Sequence, residues 1–190
     1  MRGAWREASG WAAAVAMSTV IVGQVASTAR SELLFRDGDS LIVALVARSI
    51  LEHDRLDWMF SGVLFLPETA AYTGLRMLLP ALSVMGVLAV NAVVNLVALY
   101  GAIRLAAGRR RPGRAPVAWS LVALGAFGML ALTETSSSRD ALEPASLLLT
   151  TTYYSATVIG AVLAVGLVRR WFEARTESRP AWPLLTALGF

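Results

Sequence analysis

The chain contains no cysteine and a single histidine. The first absence excludes disulfide scaffolds, thiol nucleophiles, iron–sulfur clusters and cysteine-ligated zinc. The second excludes a multi-histidine metal site. Lysine is also missing, so all 17 basic residues are arginine, and with the abundant Ala, Val and Leu this points to a GC-rich bacterial genome. Charge is scarce: 16% of the 190 residues are charged and 56% are hydrophobic, where soluble domains carry roughly 25% charged residues. With a mean hydropathy of +0.60, the composition excludes a soluble globular domain and implies lipid as the solvent.

The net charge of +4 does not indicate nucleic acid, because the arginines form no basic face with interleaved aromatics. They sit between apolar runs. A hydrocarbon core of about 30 Å takes about 17 to 25 apolar residues to cross, and four stretches meet that length: Trp11 to Ala29, Met77 to Ile103, Val117 to Thr133 and Leu147 to Val168. A lone apolar segment in lipid satisfies its backbone hydrogen bonds only as a helix. The expected fold class is therefore all-α, a polytopic integral membrane helical bundle of four transmembrane helices forming one membrane domain.

Short cytoplasmic loops accumulate arginine. Arg2 and Arg6 precede the first crossing; Arg104, Arg109, Arg110, Arg111 and Arg114 join the second to the third; Arg169, Arg170, Arg175 and Arg179 follow the fourth. These regions are expected to face the cytoplasm of a bacterial cell, with both termini inside. Residues 30–76 and 134–146, which hold most of the acids, then face outward. The first segment also has features of a cleaved signal peptide, with Arg2 and Arg6 as its positive region and Ala26, Ser27 and Ala29 at the cleavage site, though its apolar run exceeds the usual 7 to 15 or so residues. Beyond Trp171 to Arg179, the residues Pro180 to Pro183 and Leu184 to Phe190 read either as a tail held at the interface by Trp182 and Phe190, or as the first turns of a further crossing in a longer protein.

The outer loop 30–76 has order of its own. Ser40 to Glu52 reads as an amphipathic helix lying in the interface, with Leu41, Ile42, Leu45, Ser49 and Ile50 on one side and Ala44, Arg48 and Glu52 on another. His53 to Asp57 is a polar turn, and His53 lacks partners for a metal site. Trp58 to Leu66 is an aromatic-rich run too short to cross, hence re-entrant or interfacial. Pro67 starts a helix with Glu68 and Thr69 in its first turn, running into the second crossing with a kink at Pro80.

The chemically richest stretch is Arg36, Asp37, Gly38, Asp39 and Ser40. Two carboxylates flanking a glycine can hold a divalent cation through oxygen ligands, or place one carboxylate as a general base. The alternative is a solvated turn in which Asp39 or Ser40 caps the helix beginning at Leu41. Glu68 is either a second acid reaching the same outer cavity or an ordinary helix start. Asn91 and Asn95 share a helical face and, like Gln24, are expected to hydrogen-bond a neighbouring helix. Ala156, Gly160 and Ala164 form a small-residue strip suited to close helix packing. Tyr153 and Tyr154 suit the aromatic belt; Glu134, Arg139, Asp140 and Glu143 crowd the second outer connection. The run Arg109 to Arg111 sets topology and suits contact with anionic membrane lipid.

An apolar first crossing, a loop opening with Asp37-Gly38-Asp39, a surface helix, the phrase Trp58-Met-Phe-Ser-Gly-Val-Leu-Phe-Leu-Pro-Glu68 and a return helix resemble the front part of GT-C-type membrane glycosyltransferases of bacteria. The likeness extends over the first half of the chain, with the run Thr150 to Ser155 resembling a later outer rim. It implies transfer of a sugar from a polyprenyl-phosphate donor at the outer face. Asp37 and Asp39 would serve as catalytic base or metal contacts, with Arg36, Glu68 and Arg76 at the substrate. Family members usually have more crossings and often a soluble outer domain. A noncatalytic subunit packing through the fourth crossing, against a partner membrane protein or a second copy, stays open. A small transporter is disfavoured because no ionisable residue is expected deep in a crossing.

Overall fold

The computed structural model describes residues 2–53, 66–109, 113–133, 148–149 and 155–176. Among them it contains seven helices and no strand: α1 (Arg2–Ala26), α2 (Ser31–Phe35), α3 (Gly38–Leu51), α4 (Leu66–Leu78), α5 (Val84–Ala106), α6 (Pro116–Thr133) and α7 (Ser155–Thr176). Four of these are long and apolar enough to cross a membrane: Gly3–Ala26, Val84–Ala106, Pro116–Thr133 and Ser155–Arg175. The chain is an all-α bundle with the build of a multi-pass integral membrane protein.

α5 is the centre of the bundle. It packs against α1, α6, α7 and the loop helices α2 and α4, and buries Leu88, Ala92, Leu96 and Leu99. α1 runs antiparallel to it: Trp11 meets Tyr100 edge-on at 5.1 Å between centroids, and one turn away the Glu7 carboxylate takes both Nε and Nη2 of Arg104. α1 also packs on α6, where a side chain at Gly128 would collide with Ile21.

α7 runs parallel to α5. A Cβ at Gly166 would lie 2.9 Å from the backbone nitrogen of Ala106, so only glycine allows this approach, and Arg169 Nη1 donates to the Ala106 carbonyl at 2.7 Å. Ser155 lies eleven residues before Gly166, and Asn95 eleven before Ala106, each about 16 Å at 1.5 Å per residue. α7 therefore starts near the mid-depth of α5. The turn at Leu148 and Leu149 is buried at the same level, where Asn95 Nδ2 donates to the Leu148 carbonyl at 3.1 Å. Non-helical backbone at membrane depth is tolerated only where protein groups satisfy it, and Asn95 does so here.

Two helix bounds differ from those expected. The fourth crossing, read as Leu147 to Val168, is helical from Ser155 to Thr176 among the described residues. The second, read as one helix from Met77 kinked at Pro80, is instead two helices: α4 ends at Leu78, and Ser83 opens α5 by accepting the Gly86 amide at 3.2 Å. Proline offers no N–H to continue α4, and Arg76 Nη1 secures the turn by donating to the carbonyls of Pro80 (3.1 Å) and Leu82 (2.6 Å).

Candidate functional site

α2, α3 and α4 gather at the end of the bundle where α1 finishes and α5 begins. Asp37 is buried, and its carboxylate accepts the Asp39 amide at 3.2 Å as the N-cap of α3. Capping was expected of Asp39 or Ser40; the helix starts earlier, so the role falls to Asp37. Ser40, fully buried, donates from Oγ to the Leu33 carbonyl at 2.6 Å and ties α3 to α2. Asp39 is exposed in the first turn, where its charge suits the positive end of the helix. Arg36 pairs with Glu32 at 2.9 Å on the surface.

The two aspartates thus neighbour each other with different duties. Divalent cations of the calcium or magnesium kind take six or more oxygen ligands, and among the described residues no group of three or more acidic or histidine side chains gathers to hold one.

α3 turns a different face to its neighbours than its hydrophobic pattern suggests. Ser40, Val43, Val46, Ala47 and Ser49 are buried, with Val43 and Ala47 packed on Tyr72, Val87 and Leu88. Leu45 and Ile50, grouped with the apolar side from sequence, remain exposed. His53 follows the helix with φ 57°, an exposed left-handed residue closing its C-terminus.

Between α3, α4 and the start of α5 lies a groove of about 580 Å³, walled by Leu41, Ala44, Leu45, Leu51 and Val84 and edged by Arg48, Glu52, Tyr72 and Arg76. Arg48 holds both oxygens of Glu52 at 2.9 and 3.0 Å, a solvent-facing pair one turn apart. Tyr72 is buried, and its hydroxyl has no hydrogen-bond partner among the described residues. Burial pushes its phenol above the ordinary value, an effect the Arg76 guanidinium partly offsets.

Glu68 is neither a simple helix start nor a member of this groove. Its buried carboxylate accepts the Ala156 amide at 3.2 Å and so satisfies an orphan donor in the first turn of α7. Asn95 bonds a turn carbonyl rather than a neighbouring helix, and Asn91 is buried with Oδ1 unpartnered among the described residues. Gln24 is exposed. At Gly160 an added Cβ would meet nothing within 4 Å, so the strip of Ala156, Gly160 and Ala164 is not where α7 packs closely within the chain; Gly166 is.

Of the expected site residues, Arg76 alone lines the groove; Arg36, Asp37, Asp39 and Glu68 do not. Sequence reasoning passed over Tyr72 as a site residue and Arg48 as a cation. The signal was present in the four-residue spacings Tyr72–Arg76 and Arg48–Glu52, which put polar groups on one helical face. The re-entrant run at 58–65, Tyr153, Tyr154, the acids and arginine of 134–146 and the end at 184–190 lie outside the described residues. Comparison with protein families, curated proteins and solved structures finds no match.

Proposed function

We propose that this membrane protein receives the phosphate-bearing head of a membrane lipid in the groove between α3 and α4. The observation that carries the reading is the pairing of apolar walls with two arginines, Arg48 and Arg76, in one lining. An exposed ion pair such as Arg48–Glu52 contributes only about 0 to 1 kcal/mol, so an arriving phosphate displaces Glu52 at little cost. The apolar walls accept the first part of the lipid chain, and exposed Leu45 and Ile50 rest in the head-group region.

On the positive-inside argument the groove faces outward from the bacterial cytoplasmic membrane. The GT-C resemblance then makes the lipid a polyprenyl-phosphate-linked sugar and the activity a glycosyl transfer. Within that reading Asp37 positions α3 through its cap, and Asp39, exposed in the first turn of α3, activates an acceptor hydroxyl. The test is native mass spectrometry of the detergent-purified chain with a polyprenyl phosphate, together with a sugar-transfer assay. Arg48→Gln and Arg76→Gln should each weaken lipid binding, and Asp39→Asn should abolish transfer in folded protein. Unchanged binding in both arginine variants removes the lipid reading; unchanged transfer in Asp39→Asn removes the catalytic one.

A second reading, a noncatalytic subunit, is favoured by α7. Its spanning window is only 11% buried inside the chain, and Gly160 faces open space. Gly160→Leu should then release a co-purifying membrane partner, and a wild-type chain that purifies alone as a monomer counts against it.

A further inference from the structure

The opposite end of the bundle carries a second groove, between the start of α1 and the start of α6. It encloses about 510 Å³, and Arg6, Glu7, Arg114, Val117, Ala118 and Leu121 are among its lining residues. That volume falls within the range of about 300 to 1,000 Å³ typical of small-molecule sites. Its floor is apolar, and its lining carries two cations, Arg6 and Arg114. Arg36, Arg48, Arg76, Arg104 and Arg169 all hold a carboxylate or a backbone carbonyl. The side chains of Arg6 and Arg114 hold neither among the described residues.

Glu7, an acid in the same lining, does not neutralise them. Both of its oxygens are engaged by Arg104, so among the described residues Arg6 and Arg114 have no acid of their own in the lining. α6 adds to them, since its first turn, opened by Pro116, presents the positive end of an 18-residue helix dipole. Trp5 and Trp119 stand exposed on the same two helix ends, and exposed tryptophans in such positions mark the head-group level of a bilayer.

We infer that this groove is a binding site for an anionic phospholipid of the adjacent leaflet, with Arg6 and Arg114 holding the phosphate and Val117, Ala118 and Leu121 receiving the glycerol backbone and the start of an acyl chain. Charge complementarity selects the occupant. A neutral lipid brings no counter-charge to the two cations of the lining, and a free soluble anion leaves the apolar floor wet. The inference is independent of the outer groove, because no residue is shared between the two linings.

The test uses the full chain in detergent and native mass spectrometry with phosphatidylglycerol and phosphatidylcholine at equal concentration. Wild type should prefer phosphatidylglycerol. A basic residue near a membrane surface contributes about 1 kcal/mol to anionic-lipid attraction, a factor of about five, so Arg6→Gln and Arg114→Gln should each lower the preference about fivefold and the double variant roughly 25-fold. Ala118→Trp, which fills the groove at an exposed position without changing charge, should expel the lipid while the protein stays monodisperse. Arg175→Gln, on α7 and outside the groove, should leave the preference intact. A double variant that keeps the wild-type preference overturns the site. So does an Arg175→Gln variant that loses as much as the double variant, since the attraction would then be diffuse.

Discussion

At the arginine-rich end, Glu7, Arg104 and Arg169 lock the termini of α1, α5 and α7 together. At the opposite end Asp37 and Ser83 cap α3 and α5, Ser40 ties α3 to α2, and Arg76 closes the turn between α4 and α5. The first end joins separate helices through full charges, and the second uses caps and pairs between residues close in sequence. The difference follows from what each end must satisfy. Helix C-termini leave carbonyls that a guanidinium meets, and N-termini leave amides that a carboxylate or hydroxyl meets. α5 shows both, with Ser83 at its start and Arg104 and Arg169 at its finish. The arginine contacts join three helices at one end, the other end is tied by contacts local in sequence, and each end carries a groove.

Several substitutions separate the two ends. The largest effect is expected at Gly166, where Ala106 leaves no space for a side chain: Gly166→Leu should cost about 1 to 3 kcal/mol or more through overpacking, read as a lowered unfolding midpoint in detergent. Next is the Glu7–Arg104 pair. Arg104 is mostly buried but Glu7 is 43% exposed, so Arg104→Gln should cost about 1 to 3 kcal/mol, below the full buried-pair figure because solvent screens Glu7. A double-mutant cycle with Glu7→Gln should return a coupling energy well above that of the surface pair Arg36–Glu32.

At the other end, Asp37→Ala and Glu68→Ala should each cost about 1 kcal/mol for a lost cap, and Asp37→Asn should restore most of it in the same unfolding assay. The smallest effect concerns Tyr72. A phenol raised by burial favours the folded state fully below its ordinary value of about 10, and this contribution fades as pH climbs through the higher folded value. The phenolate absorbance lost in Tyr72→Phe should therefore rise later with pH than that of a solvated tyrosine, and stability should fall only in strong alkali.

The number of spanning helices and the all-helical class were legible in the sequence, because apolar run length reports them directly. The mid-depth start of α7 was not. Asn95 bonds the Leu148 carbonyl and Glu68 the Ala156 amide, contacts between residues far apart in the chain that the length of an apolar run does not report. Asp37-Gly38-Asp39 read either as a cation or general-base site or as a solvated turn with Asp39 or Ser40 as cap; Gly38 and Asp39 lie within α3 and the buried Asp37 is its cap, a difference of register that spacing does not set. Gly160 and Gly166 look alike in sequence; which one meets α5 depends on the rotation of α7 about its axis. The outer groove was half legible through Arg76, and Tyr72 was hidden by its resemblance to ordinary core.

The central claim is that the two ends lie on opposite sides of the membrane, with the α3–α4 groove outside. The absence of native cysteine gives a background-free measurement. His53→Cys, beside the outer groove, and Gly113→Cys, in the arginine-rich connection between α5 and α6, are each treated in intact cells with a membrane-impermeant maleimide. His53→Cys should label in intact cells, and Gly113→Cys only after the membrane is opened. Labelling of both in intact cells, or the reverse order, contradicts the account.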